Sequence, residues 1–192
     1  MSAPASWTDA ITKLSRRLDT AFGEVGRMLE LPDRTLQFRP ADNAWTIVEI
    51  AEHVTLTNHY LLILVDKIAG KARSRSARSS AGPPPLSRFD HLERLAGPDV
   101  AWESPEHMRP TGSCGVGEIR KRLAGQRERS QSLLREFPCG EGTLHSIRMS
   151  VVGPGERLGL YQFVHFIALH AERHAGQMQR NRRAATHEGI QP

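Results

Sequence analysis

Near the end of the chain, His170-Ala-Glu-Arg-His174-Ala-Gly-Gln177 places two imidazoles four residues apart. On a helix this spacing puts both rings on one face, one turn apart, where two nitrogens can reach a single metal ion. The apolar residues Leu160, Phe163 and Ile167 lead into the pair at helical spacing, so His170, His174 and Gln177 continue a core-facing seam with polar groups. A third imidazole has comparable surroundings: in the stripe Glu49, His53, Leu56, Tyr60, His53 falls on a largely apolar face. Three neutral imidazoles suit zinc, nickel, iron or copper and leave positions open for water and substrate, the pattern of a catalytic ion. The pair alone equally suits two core histidines that hydrogen-bond each other or buried waters. It is not the zincin motif, because Ala171 follows His170 and Glu172 points to another face. His165 lies about 140° around the helix from His170 and is expected to be exposed or interfacial. His59, His91, His107, His145 and His187 fall at polar, loop or tail positions.

Four long amphipathic segments must position these residues. Residues 7–31 carry Ile11, Leu14, Leu18, Phe22, Val25, Met28 and Leu29 at helical spacing, with Ser6 to cap and Pro32 to stop the helix. After the extended, proline-containing segment 36–43, Thr46 and Glu49 form a capping box, and Trp45 can pack on Ile50 as a hydrophobic staple. The second helix runs from there to about Ala72. Residues 73–116 are Ser-, Pro- and Gly-rich and predict a long, partly flexible crossover with a short helix at Phe89 to Leu95. The third helix spans Val116 to Phe137. A loop over 138–155 holds a short extended piece at Met149 to Val152, and the fourth helix runs from about Glu156 to Arg183, leaving 184–192 as a tail.

The expected fold is therefore all-α: one domain over 1–192, a four-helix bundle with a long crossover between its second and third helices. The crossover can return along the full length of a helix, which makes those two helices parallel and the order up-down-down-up. Histidine depth points the same way. At ~1.5 Å per residue His53 lies ~10 Å inside the start of the second helix and His174 ~14 Å from the end of the fourth, depths that match only if the two are antiparallel.

Composition excludes several function classes. With 39% hydrophobic and 24% charged residues the chain is globular rather than disordered. Its longest apolar run, Tyr60 to Val65, is far too short to cross a bilayer. The first residues lack a basic and an apolar signal region, so a cytoplasmic location is expected. Cys114 and Cys139 read as free thiols. The net charge of +5 equals the five cations Lys71, Arg73, Arg75, Arg78 and Arg88, which read as a solvated loop segment rather than a nucleic-acid face.

Arg39-Pro40 followed by Trp45-Thr46-x-x-Glu49-x-x-x-His53, with the closing His170-x-x-x-His174-x-x-Gln177, resembles the DinB/YfiT-like family of metal-binding four-helix bundles. The resemblance implies a divalent ion, zinc or nickel, on His53, His170 and His174. It also implies a small-molecule transferase or hydrolase that uses water or a low-molecular-weight thiol such as bacillithiol or mycothiol. Nucleic-acid binding is not implied. A metal lowers the pKa of a bound water or thiol and so supplies a nucleophile at neutral pH. Glu49 is placed to cap the helix or to orient His53, and Tyr60 and Gln177 are candidate pocket residues. The competing reading is a non-catalytic, metal-stabilised bundle or interaction module, and a homodimer suits either.

Overall fold

In the computed structural model, which describes residues 6–78, 85–86, 89–97 and 105–190, the chain is predominantly α-helical. Helix α1 (Trp7–Met28) starts where Ser6 Oγ accepts the Asp9 N–H at 3.2 Å, and it buries Leu14, Leu18, Ala21, Phe22 and Val25. The one-turn helix α2 (Asp33–Leu36) occupies the start of the connection to α3 (Ile47–Ser76). In the crossover, α4 (Asp90–Glu93) continues into a 3-10 turn at Arg94–Ala96, and a second 3-10 turn lies at Glu106–Met108. Helix α5 (Val116–Glu136) and helix α6 (Leu160–His187) follow.

The four long helices share one apolar core, with α1 packed on α6 and α5, and α3 packed on α6 and α5. Polar pairs mark their alignment. Trp7 meets the Tyr161 ring at 4.7 Å, and Arg17 Nε donates to Glu172 at 2.6 Å. Gln126 donates to the Thr55 carbonyl at 2.7 Å, and Arg73 pairs with Glu136. Arg127 pairs with Asp19 at 2.6 Å, and Arg120 donates to the Leu29 carbonyl at 2.7 Å.

Several boundaries differ from the sequence expectation. The second long helix runs one turn further, so Arg73 and Arg75 join Lys71 on it rather than forming part of a flexible loop; Arg75 donates to the Leu144 carbonyl. Residues 79–84 and 98–104 and Arg88 lie outside the described residues. The extended piece is not at Met149 to Val152. Instead Ile147–Arg148 (β1) pairs antiparallel with Arg157–Leu158 (β2), and 149–156 make the turn between them. That pairing delays the last helix to Leu160, where Gln162 accepts the Gly159 N–H at 3.0 Å. The helix then takes in 184–187 of the supposed tail, and Ala185 is buried. Gly140 (φ 94°) precedes α6 where a Cβ would come within 2.3 Å of the Trp7 indole nitrogen, so glycine alone lets Trp7 seat against Tyr161.

The start of α3 fixes the depth of His53. Thr46 Oγ1 accepts the Glu49 N–H at 3.2 Å, and Glu49 accepts the Thr46 N–H at 2.7 Å, closing the capping box reciprocally. Thr46→Ala is expected to lower the unfolding free energy by about 1 kcal/mol, measured as a reduced urea midpoint at unchanged slope.

Candidate metal centre

His53 projects from the second turn of α3, and His170 and His174 project from the middle of α6 one turn apart. All three are buried, with 3%, 5% and 8% of their surface exposed. Each offers a ring nitrogen, and these nitrogens lie within 4.8 Å of one another. His53 Nε2 and His170 Nε2 are 3.3 Å apart, while the His174 ring stands edge-on to both, at 4.7 Å from His53 and 4.5 Å from His170. The cluster forms although α6 ends a turn later than its sequence suggests, because α6 runs on past the first residue of α3. Asn181 ties this overhang down by donating to the Trp45 carbonyl at 2.7 Å. The Trp45 ring in turn lies 4.9 Å from His53 and makes one wall of the cluster.

Hydrogen bonds orient two of the rings. His53 Nδ1 is 2.7 Å from the Met108 carbonyl, which can only accept, so Nδ1 carries the proton and Nε2 the lone pair. His174 Nδ1 is 2.9 Å from Gln177 Oε1, which sets the same tautomer when the amide oxygen accepts. Burial lowers the pKa of His53, with the Met108 bond opposing it. Burial also pushes His174 down to about 3, assisted by His53, Arg173 and Arg180 and opposed by Gln177. His170 lies well below the ordinary imidazole range, first through burial and then through its two histidine neighbours. Three neutral imidazoles whose ring nitrogens lie within 4.8 Å of one another are a donor set that fits a divalent cation of borderline softness.

The other sequence candidates are distributed differently. Glu49 does not orient His53; its oxygens serve the Thr46 N–H and the Arg39 guanidinium at 2.7 Å, which hold its carboxyl below the usual range against the opposing effect of burial. The Met108 carbonyl takes the orienting place. Gln177 joins the cluster through His174, whereas Tyr60 packs on His107 at 4.4 Å and His59 at 5.4 Å. His165 is not exposed: only 6% of its surface is open, and its Nε2 lies 2.9 Å from Glu93, which also takes Arg17 at 2.6 Å. Glu172 binds Arg17 and faces away from the cluster. Cys114 and Cys139 are free thiols.

Sequence reasoning missed the Met108 carbonyl and, beside His53, the buried Glu52. The Glu52 carboxylate accepts from Thr111 Oγ1 at 2.8 Å and from the Gly112 N–H at 2.9 Å. A backbone carbonyl has no side-chain signature, and Glu52 differs from a surface glutamate only through partners about sixty positions away. The sole local hint is Thr-Gly-Ser at 111–113, a turn signal.

No helix among the described residues is long and apolar enough to cross a membrane. No curated protein and no solved structure matches the chain. A family model described as the DinB superfamily matches residues 7–178, a span that includes α1, α3, α5 and all three clustered histidines. With that match over most of its length, the chain belongs to the DinB superfamily.

Proposed function

We propose that His53, His170 and His174 hold one divalent metal, zinc or nickel, and that the protein is a metal-dependent S-transferase or hydrolase. In this reading a low-molecular-weight thiol, such as bacillithiol or mycothiol, or water attacks a small electrophile. The observation that carries the reading is the inward convergence of three buried, neutral imidazoles whose nitrogens lie within 4.8 Å of one another. A cation held there supplies Lewis acidity, which lowers the pKa of a water or thiol ligand toward neutrality. The chain's own groups set the conditions. Met108 and Gln177 fix the direction of the imidazole lone pairs, Trp45 excludes water on one side, and the absence of a carboxylate from the triad favours an anionic nucleophile.

The same reading takes the fold to be a four-helix bundle in the order up-down-down-up. Its support is the sequence of polar pairs: 7 with 161 and 17 with 172 for α1 and α6, and 55 with 126 and 73 with 136 for α3 and α5. Both sets advance together. Partners 19 with 127 and 29 with 120 advance oppositely, as do 45 with 181 and 53 with 170.

Metal content of the purified protein is expected to fall sharply when His53, His170 or His174 is replaced by Ala. Stoichiometric metal retained in a His170→Ala, His174→Ala double variant would sink the assignment.

Turnover across a panel of thiols is expected to vanish with chelator and to return with zinc or nickel, and to survive in a Cys114→Ser, Cys139→Ser variant, because both thiols lie outside the helices that carry the three histidines. Bound metal without turnover on any thiol or hydrolysable ester would favour a metal-stabilised bundle. Loss of turnover in the double cysteine variant, with metal and fold intact, would make a protein thiol the nucleophile.

Stability has a defined pH dependence. All three imidazoles titrate below the ordinary 6.5 in the folded state, so on acidification the unfolded chain binds protons first. Their contribution in the metal-free protein is complete above pH 6.5 and is lost progressively as the pH falls toward about 3, where His174 titrates. A His174→Leu variant is expected to lose less of its urea midpoint than the wild type between about pH 7 and about pH 4.5. An equal loss in both proteins would contradict the assignment of His174 as buried and neutral.

A further inference from the structure

The crossover reaches the histidine cluster through its main chain. Its 3-10 turn Glu106–Met108 ends with the Met108 carbonyl on His53 Nδ1 at 2.7 Å. Just beyond, the chain is fastened a second time, to the residue that precedes His53. Glu52 is 2% exposed, and its carboxylate accepts from Thr111 Oγ1 at 2.8 Å and from the Gly112 N–H at 2.9 Å. Among the described residues Glu52 has no direct ion pair and feels the Arg122 guanidinium only through longer-range attraction, so these two bonds are its direct compensation for burial. Gly112 adopts φ 71°, a left-handed conformation open to glycine, which turns its amide toward the carboxylate. Thr111 Oγ1 also accepts the Ser113 N–H at 3.3 Å, which stiffens the same turn.

We propose that Glu52 is a positioning residue for His53: its carboxylate fastens residues 111 and 112 to α3 and thereby holds the Met108 carbonyl where it fixes the Nδ1–H tautomer. Glu52 is not a member of the histidine triad, and its bonds run to the crossover turn. It therefore acts through the strap. Without the strap the Met108 carbonyl is free to drift from His53, and the imidazole regains the tautomer whose Nε2 carries the proton and offers no lone pair to the cluster. The consequence for metal affinity rests on the metal reading above; the consequence for the tautomer does not. Coupling is reciprocal, because a ligand that fixes the His53 ring also stabilises the strap. Zinc is therefore expected to slow hydrogen exchange at the Gly112 amide.

The test uses full-length protein labelled with nitrogen-15 in its histidines. In the metal-free wild type, long-range proton–nitrogen correlation spectra are expected to show His53 with a protonated Nδ1 and a bare Nε2. Glu52→Gln keeps the size of the side chain but presents an NH2 group to one of the two donors. At unchanged far-UV circular dichroism it is expected to shift His53 toward a tautomer mixture and to weaken zinc binding about 10- to 100-fold in competition with a chromophoric chelator. Thr111→Val removes one of the two bonds from the outside of the helix and is expected to shift both readouts in the same direction by less, which keeps the inference testable if Glu52→Gln fails to fold. A folded Glu52→Gln variant with the wild-type His53 tautomer would overturn the proposal, and a changed tautomer with unchanged zinc affinity would overturn its role toward the metal. If the wild type itself binds no zinc, the metal reading fails while the tautomer measurement still decides the strap.

Discussion

Three imidazole rings stand with centroids 4.5 to 5.1 Å apart in a place that excludes water, and at that separation protonating one raises the cost of protonating the next. Burial lowers the pKa of all three, and repulsion from neighbouring imidazoles adds to it at His170 and His174, so all three are held neutral. Neutrality turns each ring into a directional object, with one nitrogen that donates and one that accepts. The surrounding structure answers to that requirement: an acceptor sits opposite Nδ1 of His53 and another opposite Nδ1 of His174. The helical framework supplies position, with the Thr46 capping box setting the depth of His53 and the Asn181 bond fixing how far α6 runs past it.

The acceptor for His53 comes from the crossover, so this connection is structurally part of the site. Its attachment combines apolar packing with a series of polar bonds. Leu92 and Leu95 reach the core, Leu86, Phe89 and Ala96 pack against it, and polar anchors add to them: Arg17 and His165 on Glu93, Arg94 on the Val152 carbonyl, Arg173 on the Gly97 carbonyl, and Glu52 on the turn at 111 and 112. Arg173 lies on α6 between the two clustered histidines in sequence, and Glu52 lies directly before the third. The residues that present imidazoles to the centre therefore alternate with residues that hold the crossover over it. A helix makes this economical, since neighbours in sequence point about 100° apart.

What could be read from the sequence follows from the range of the interactions involved. The Thr46–Glu49 box, the Ser6 cap and the spacing of His170 and His174 are local, and the structure places each where its spacing indicates. His53 required one step more, a depth comparison between two helices, and that comparison tolerated an error of a turn at the end of α6. For His165 the sequence left exposed and interfacial positions open, and the structure places it in an interface because its partner, Glu93, is supplied by a connection whose path no periodicity encodes. The start of α6 was misplaced for the same reason. The pairing of Ile147–Arg148 with Arg157–Leu158 takes residues that look helical and commits them to a strand. Met108 acts through a carbonyl every residue possesses, and Glu52 carries no mark of its burial.

The placement of acids around the centre carries the electrostatic argument one step further. Three carboxylates lie on the turns that bear the clustered histidines, at 49, 52 and 172, and each is engaged away from the rings: Glu49 by Arg39 and the Thr46 N–H, Glu52 by the crossover turn, Glu172 by Arg17. The nearby cations act in the other direction, since Arg173 and Arg180 both add positive potential at His174. The fold thus assembles three neutral donors while keeping negative charge off the cluster. Among the described residues no carboxylate joins the three rings, so under the metal reading proposed above a cation held there would lack a compensating charge, a deficit that is costly to leave in a poorly solvated site. In that reading its compensation would arrive with an anionic ligand, and the more so the better the walls, Trp45 among them, keep competing water away.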